Sequence, residues 1–138
     1  MKATLFSDGG SRGNPGPAAY GAVLLAEDGT VLREISAFLG VTTNNVAEWS
    51  GLLAGLEAAL ELGVDEINVR LDSELVVRQL SGAYRVKQEH LIPLHAKAKS
   101  LLRQFARTHV SHVPREQNKE ADALLNQVLD AHKRNSAG

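Results

Sequence analysis

Cysteine is absent from the 138 residues, which excludes a disulfide framework and a thiolate site and suits a reducing compartment. No long apolar run is present. The longest, Ala18 to Ala26, falls far short of a bilayer, and only Lys2 and a few apolar residues precede Asp8, so the chain reads as soluble, without export signal or membrane partner, and cytoplasmic. Aromatic residues make up 4%; Trp49 and Phe105, set among apolar neighbours, read as core rather than base-stacking platforms. The Gly-rich "GGSRGNPG" lacks the Lys-Ser/Thr ending of a P-loop and the spacing of a dinucleotide turn. His90 and His95, five apart with Pro93 between them, do not suit a zinc helix. There is no internal repeat, low-complexity tract or linker.

Overall charge is also nearly missing, at −1, but its distribution is not even. Residues 1–77 carry net −7 and residues 78–119 net +7. A basic segment of that kind suits a phosphate backbone, although a solvated helix face enriches Lys and Arg in the same way.

The length and 43% hydrophobic content support one domain over 1–138 with its own core, and "KRNSAG" (133–138) reads as a disordered tail. Ala3 to Asp8 and Ala18 to Ala26 read as strands, and the Asp28-Gly29 turn leads into a third, Val31 to Leu39. In "TTNNVAEWSGLLAGLEAALELG" the apolar residues Val46, Trp49, Leu52, Leu53, Leu56 and Leu60 recur at helical spacing, with Asn44 or Asn45 as cap and Gly63 as stop. "EINVRLD" alternates as a strand, followed by a short helix from Ser73 to Leu80. A helix is expected from about His90 to Arg107 with Pro93 in its first turn, then a strand from Thr108 to Val113 and a closing helix from Asn118 to about His132. The order is βββαβααβα, an α/β fold with a five-stranded mixed sheet whose first, fourth and fifth strands are parallel.

Asp8 and Asp72 both follow apolar runs at the C-terminal ends of strands. A turn Asp is usually solvated, and that reading fits each alone. If the strands are parallel neighbours, however, both carboxylates emerge at the sheet edge where open α/β sheets place their sites. Glu48 and Asp122, each one turn into a helix, can lean over the same edge, although first-turn acids also serve the helix dipole. Four converging carboxylates repel one another unless a cation neutralises them, and oxygen-only surroundings suit Mg²⁺ or Mn²⁺. Two such ions about 4 Å apart are the usual arrangement for in-line attack on a phosphodiester.

The segments "SDGGSRGNPGPAAYGAVL", "TTNNVAEWSGLLAGLEAAL", "RLDSELVVRQL" and "VPREQNKEADALLN" resemble the successive motifs of type 1 ribonuclease H, in order and over nearly the whole chain. The resemblance implies an RNase H-like fold with strand order 3-2-1-4-5, and hydrolysis of the RNA strand of RNA/DNA hybrids with Mg²⁺ or Mn²⁺, leaving 5′-phosphate and 3′-hydroxyl ends. It places the catalytic, metal-holding carboxylates at Asp8, Glu48, Asp72 and Asp122. Asn14, Asn44 and Asn45 match positions that read the minor groove, and Thr43 the one that grips a DNA-strand phosphate. Gly9 and Gly10 would let backbone approach the 2′-hydroxyls that distinguish RNA.

The sequence also departs from that pattern. The family's histidine loop before the last aspartate is short here and offers Arg115, with His112 inside the preceding strand; Arg115 is favoured as an auxiliary residue holding phosphate or product. The basic, aromatic-containing protrusion is reduced to "GAYRVKQEHL", where Tyr84, Arg85 and Lys87 supply a smaller substrate contact. Glu74 stands where many relatives carry an amide, either near substrate or as a solvated first-turn acid. Three readings remain open: hybrid endoribonuclease, a binding module of the same fold that cleaves weakly or not at all, and the same chemistry on duplex RNA or on DNA. A monomer is the default for a small nuclease.

Overall fold

A computed structural model describes residues 1–137, comprising β1 (Lys2–Ser11), β2 (Gly16–Ala26), β3 (Val31–Thr42), α1 (Asn44–Glu61), β4 (Glu66–Leu71), α2 (Glu74–Ser81), α3 (Ile92–Leu102), β5 (Arg107–His112) and α4 (Lys119–Ala137). The element order is the one expected, and the sheet runs β3-β2-β1-β4-β5 with β1, β4 and β5 parallel. Among the described residues, no helix is long and apolar enough to cross a membrane.

Alternation along β1 sends Ala3, Leu5 and Ser7 to one face, where α1 lays Trp49, Leu52 and Leu56 against Ala22, Leu24, Ile67 and Val69. This is the principal core, closed at its far side by α3 and Phe105. On the other face α4 covers β1, β2 and β3 with a smaller apolar cluster of Ala19, Leu125 and Leu129. Both helices come unusually close to the sheet. A Cβ on Gly9 would overlap the backbone of Ala47 and Glu48 in α1, and one on Gly21 would overlap the Ala121 carbonyl in α4. These two glycines bring the helices carrying Glu48 and Asp122 down onto the strand carrying Asp8 and its neighbour.

Several boundaries differ from expectation. Helix α1 is capped by Thr43, whose Oγ1 accepts from the Val46 amide, rather than by Asn44 or Asn45. Asn44 is free of the cap because its carboxamide turns back to β1. The helix expected to reach Arg107 begins with a 3-10 turn at Glu89–Leu91 and ends at Leu102. Its end follows from tertiary pairing: Ala106 and Arg107 both donate to the Asp65 carbonyl, which starts β5 while Phe105 enters the core. Helix α4 continues past His132 to Ala137, into the segment read as tail; Gly138 lies outside the described residues.

Candidate active site

The parallel pairing of β1 and β4 ends at Ser7↔Leu71, so Asp8 and Asp72 are the first residues beyond the last paired position on their respective strands. Register alone therefore brings them together. β1 itself continues beside β2 as far as Ser11, which makes Asp8 a rigid strand residue rather than part of a turn. Glu48 projects from the first turns of α1, fixed by the Gly9 approach and the buried Trp49 beside it. Carboxylate oxygens of Asp8, Glu48 and Asp72 lie within 4.8 Å of one another. Asp122, one turn into α4, joins them in lining a pocket of about 300 Å³, together with Arg12, Asn44, Arg115 and Asn126.

Crowding has the expected electrostatic effect. Burial, followed by the charges of Asp72, Glu48 and Asp122, pushes the Asp8 carboxyl up to about 8, against a smaller opposing pull from the Gly9 amide. Burial likewise raises Glu48 to about 7, with Asp72 adding to the rise; a hydrogen bond from Ser73 and the positive charge of Arg115 oppose it. Asp72 Oδ2 is buried and has no hydrogen-bond partner. An acidic cluster with raised pKa values and an orphaned carboxylate oxygen fits a hard divalent cation, held by oxygen ligands without nitrogen or sulfur. Arg115 lies in the pocket close enough to act on Glu48, whereas His112 sits at the end of β5 with Nε2 3.3 Å from the Asp72 carbonyl oxygen.

The other sequence-predicted residues divide among three places. Asn14 and Asn44 form a polar latch beside the acids: Asn14 Oδ1 accepts from the Asn44 amide, and Asn44 Oδ1 accepts from the Ser11 amide and hydroxyl at 2.7 and 3.1 Å. Gly10 lines the same pocket, and Gly9 does too while its missing side chain makes room for α1. Asn45 and Tyr84 instead line a separate groove of about 430 Å³ with Arg85 and Lys87, bordered by Leu75 and Leu91. Thr43 is at the α1 terminus, and its hydroxyl retains a proton to donate after accepting from Val46. Glu74 is paired with Arg78 at 2.7 Å, and Arg78 also lies over the Tyr84 ring, so this acid balances a local cation.

Three residues of the site were not singled out from sequence. Ser73 caps α2 and hydrogen-bonds Glu48; its position between Asp72 and a helix start was the available signal. Arg12 and Asn126 line the pocket and contact each other at 3.2 Å across 114 positions of chain. Only the recurrence of Asp122, Asn126 and Asp130 at four-residue intervals hinted at that polar face.

Comparison with known proteins agrees with this architecture. A family model described as reverse transcriptase-like matches residues 6–128. The bifunctional protein Rv2228c of Mycobacterium tuberculosis is 49% identical over 138 residues, covering 99% of this chain and 38% of the relative. The solved N-terminal RNase H domain of that protein superposes with a TM-score of 0.94 at 47% identity over 99% of both chains. Ribonuclease H1 of Halobacterium salinarum gives 0.92 at 44% identity, covering 95% of this chain and 99% of the other. LC11-RNase H1, solved in complex with RNA/DNA hybrid, gives 0.88 at 42% identity, covering 94% and 98%. The chain thus spans little more than a third of the curated mycobacterial relative's length, while it covers nearly all of these three solved chains. With the family match over most of its length, the same strand order and the acidic edge in place, this chain belongs to the type 1 ribonuclease H family.

Proposed function

We propose that the protein is a metal-dependent endoribonuclease that hydrolyses the RNA strand of RNA/DNA hybrids. The observation that carries this reading is the Asp8, Glu48 and Asp72 cluster, with oxygens within 4.8 Å and one buried oxygen unpartnered. Such a cluster is electrostatically unfavourable by itself, and cation binding relieves it. The structure of LC11-RNase H1 in complex with RNA/DNA hybrid supports the choice of substrate.

Asp8, Glu48, Asp72 and Asp122 would hold two Mg²⁺ or Mn²⁺ ions. When bound, the ions supply Lewis acidity, making a water more acidic and stabilising charge on the leaving oxygen. To hold the cations Asp8 and Glu48 would have to be ionised, since a ligating carboxylate must lose its proton. The Arg115 guanidinium, a fork of N–H donors, would orient a phosphate or departing product. Attack of water on the RNA phosphate, with the 3′ oxygen leaving, gives 5′-phosphate and 3′-hydroxyl ends.

The neighbouring residues select the substrate in this account. Asn44 Oδ1 is committed to Ser11, which leaves its amide group to donate into the minor groove. Asn14 is similarly held by its oxygen, and backbone at Gly9 and Gly10 is open to 2′-hydroxyl contacts. Thr43 and the Asn45, Tyr84, Arg85 and Lys87 groove take the DNA strand. Glu74, already paired with Arg78, tempers the charge at the groove's approach.

The test is cleavage of end-labelled RNA/DNA hybrid, duplex RNA and duplex DNA with Mg²⁺, Mn²⁺ or EDTA, for the wild type and Asp8→Asn. Hybrid-only cutting that needs metal and disappears in Asp8→Asn is expected. Hybrid binding without cutting in either metal contradicts the proposal and leaves a binding module; preferential cutting of duplex RNA overturns the substrate assignment.

A further inference from the structure

Asp122, Asn126 and Asp130 lie on one face of α4 at successive four-residue spacings. Arg12, in the turn between β1 and β2, spans two of them: Nη2 donates to Asn126 Oδ1 at 3.2 Å and lies 2.7 Å from Asp130 Oδ1. Asn126 carries the connection onward, its Nδ2 donating to the Asp122 backbone carbonyl at 3.0 Å. A continuous polar chain therefore joins the β1–β2 turn to the helical turn that bears the fourth acid.

That acid is placed by the docking of a helix on the sheet, with neither strand register nor the principal core behind it. Asp8 and Asp72 follow from strand register, and Glu48 from the deep core beneath α1. Asp122 depends on how α4 docks: the Gly21 approach to the Ala121 carbonyl, a small apolar cluster, the Phe38–His132 ring stack and one buried hydrogen bond, Asn118 Nδ2 to the Ser7 carbonyl, seat the helix on the sheet, and the Arg12 chain ties it to the β1–β2 turn. The Arg12–Asp130 pair is 40% and 53% exposed, and a pair so wetted adds little stability. Its contribution is directional, because a planar guanidinium can engage both acceptors at once. At its other end the Arg12 amide donates to Pro17, and neighbouring Ser11 and Asn14 are tied to Asn44.

The geometry points to Arg12 as a positioning residue that sets where α4 presents Asp122 relative to Asp8, acting through Asn126 and Asp130. It rests on the reading that Asp122 helps hold the cations. A second consequence follows from the connection: the turn that faces the minor groove and the helix that completes the metal site move together.

The variants are Arg12→Ala, Asp130→Ala, their double mutant and Arg12→Lys. Mn²⁺ binding to the nucleic-acid-free protein is followed by calorimetry, amide exchange is measured over Asp122–Asn126, and hybrid cleavage is titrated with Mg²⁺. Removal of a direct outer partner of a metal ligand commonly weakens metal affinity about 10-fold or more; Arg12 and Asp130 act one link further out, so a loss of about threefold is expected in each single variant. Exchange over Asp122–Asn126 should quicken, the hybrid KM at saturating metal should stay within about twofold, and the double variant should be no worse than the singles. Arg12→Lys should recover less than half of the loss. If Arg12→Ala does not fold, Asp130→Ala carries the same comparison. Unchanged Mn²⁺ affinity and exchange, additive losses, or a rise in hybrid KM alone would overturn the assignment, the last marking Arg12 as a nucleic-acid contact. Wild-type protein that cleaves no hybrid defeats the proposed function separately, since binding and exchange still judge Arg12.

Discussion

The two helices that reach the acidic edge are held by different physics. Helix α1 brings Glu48 on a thick apolar base in which Trp49, Leu52 and Leu56 are fully buried. Helix α4 brings Asp122 on a thin one, Ala19, Leu125 and Leu129, supplemented by Asn118 on Ser7 and by the Arg12 chain. Apolar packing fixes a helix strongly but without direction, whereas hydrogen bonds add little net stability and much orientation. One acid is therefore placed by deep burial, and the other by a shallow contact at Gly21 together with polar tethers. The acidic edge combines a rigid half, formed by β1, β4 and α1, with a half that small polar changes can shift.

Removing a member of the rigid half should have the largest effect. Asp8→Asn or Asp72→Asn is expected to lower hybrid cleavage by about 10³-fold, equivalent to ~4 kcal/mol of transition-state stabilisation, as read by single-turnover kinetics. Breaking the packing beneath α1 comes next: Trp49→Ala should destabilise by about 3–5 kcal/mol in denaturant unfolding, against about 2 kcal/mol for Leu129→Ala beneath α4. Equal losses would erase the contrast between the two helices. Asn118→Ala removes a buried tether and leaves the Ser7 carbonyl without that donor, for about 1–3 kcal/mol.

A pH experiment sharpens the same contrast. The folded-state pKa of Asp8 lies near 8, above its unfolded value of 3.8, so the folded protein binds the extra proton between those limits. Its contribution to metal-free stability is fully present below pH 3.8 and is lost as pH rises through about 8. Asp8→Asn removes that loss, and its melting temperature at pH 9 without metal should exceed wild type by about 5 °C, the shift that ~2 kcal/mol produces in a domain of this size. No difference at pH 9 would mean that the acids are less crowded than their placement implies. The smallest effect is expected for Glu74→Gln, which loses an exposed pair with Arg78 and should change stability by less than ~0.5 kcal/mol.

Most of the rigid half was legible in the sequence because its rules are local and periodic. Alternation in Ile67, Val69 and Leu71 specified β4, helical spacing from Val46 to Leu60 specified α1, and an acid directly after the apolar runs of β1 and β4 specified the edge, although β1 itself runs on past Asp8 to Ser11. The motif resemblance assigned the strand order, which periodicity alone leaves open. The polar half was less legible. Nothing near Arg12 indicates a partner 114 positions away, and Thr43 rather than Asn44 caps α1 because the Asn44 side chain is drawn to Ser11, a contact across 33 positions. Helix α3 stops early for a similar reason, since the Asp65 carbonyl captures the Ala106 and Arg107 amides. Long-range hydrogen bonds leave no period in a sequence.

The central claim is that the acids at this edge are assembled for divalent cations. Calorimetric titration of the metal-free protein with Mn²⁺ at pH 7, repeated in buffers of different ionisation enthalpy, tests it most directly by counting protons released on binding. With Asp8 near 8 and Glu48 near 7, saturable binding should release at least one proton, and Asp8→Asn should diminish both affinity and release. Absence of saturable Mn²⁺ binding, or binding of equal strength in Asp8→Asn, would contradict the account.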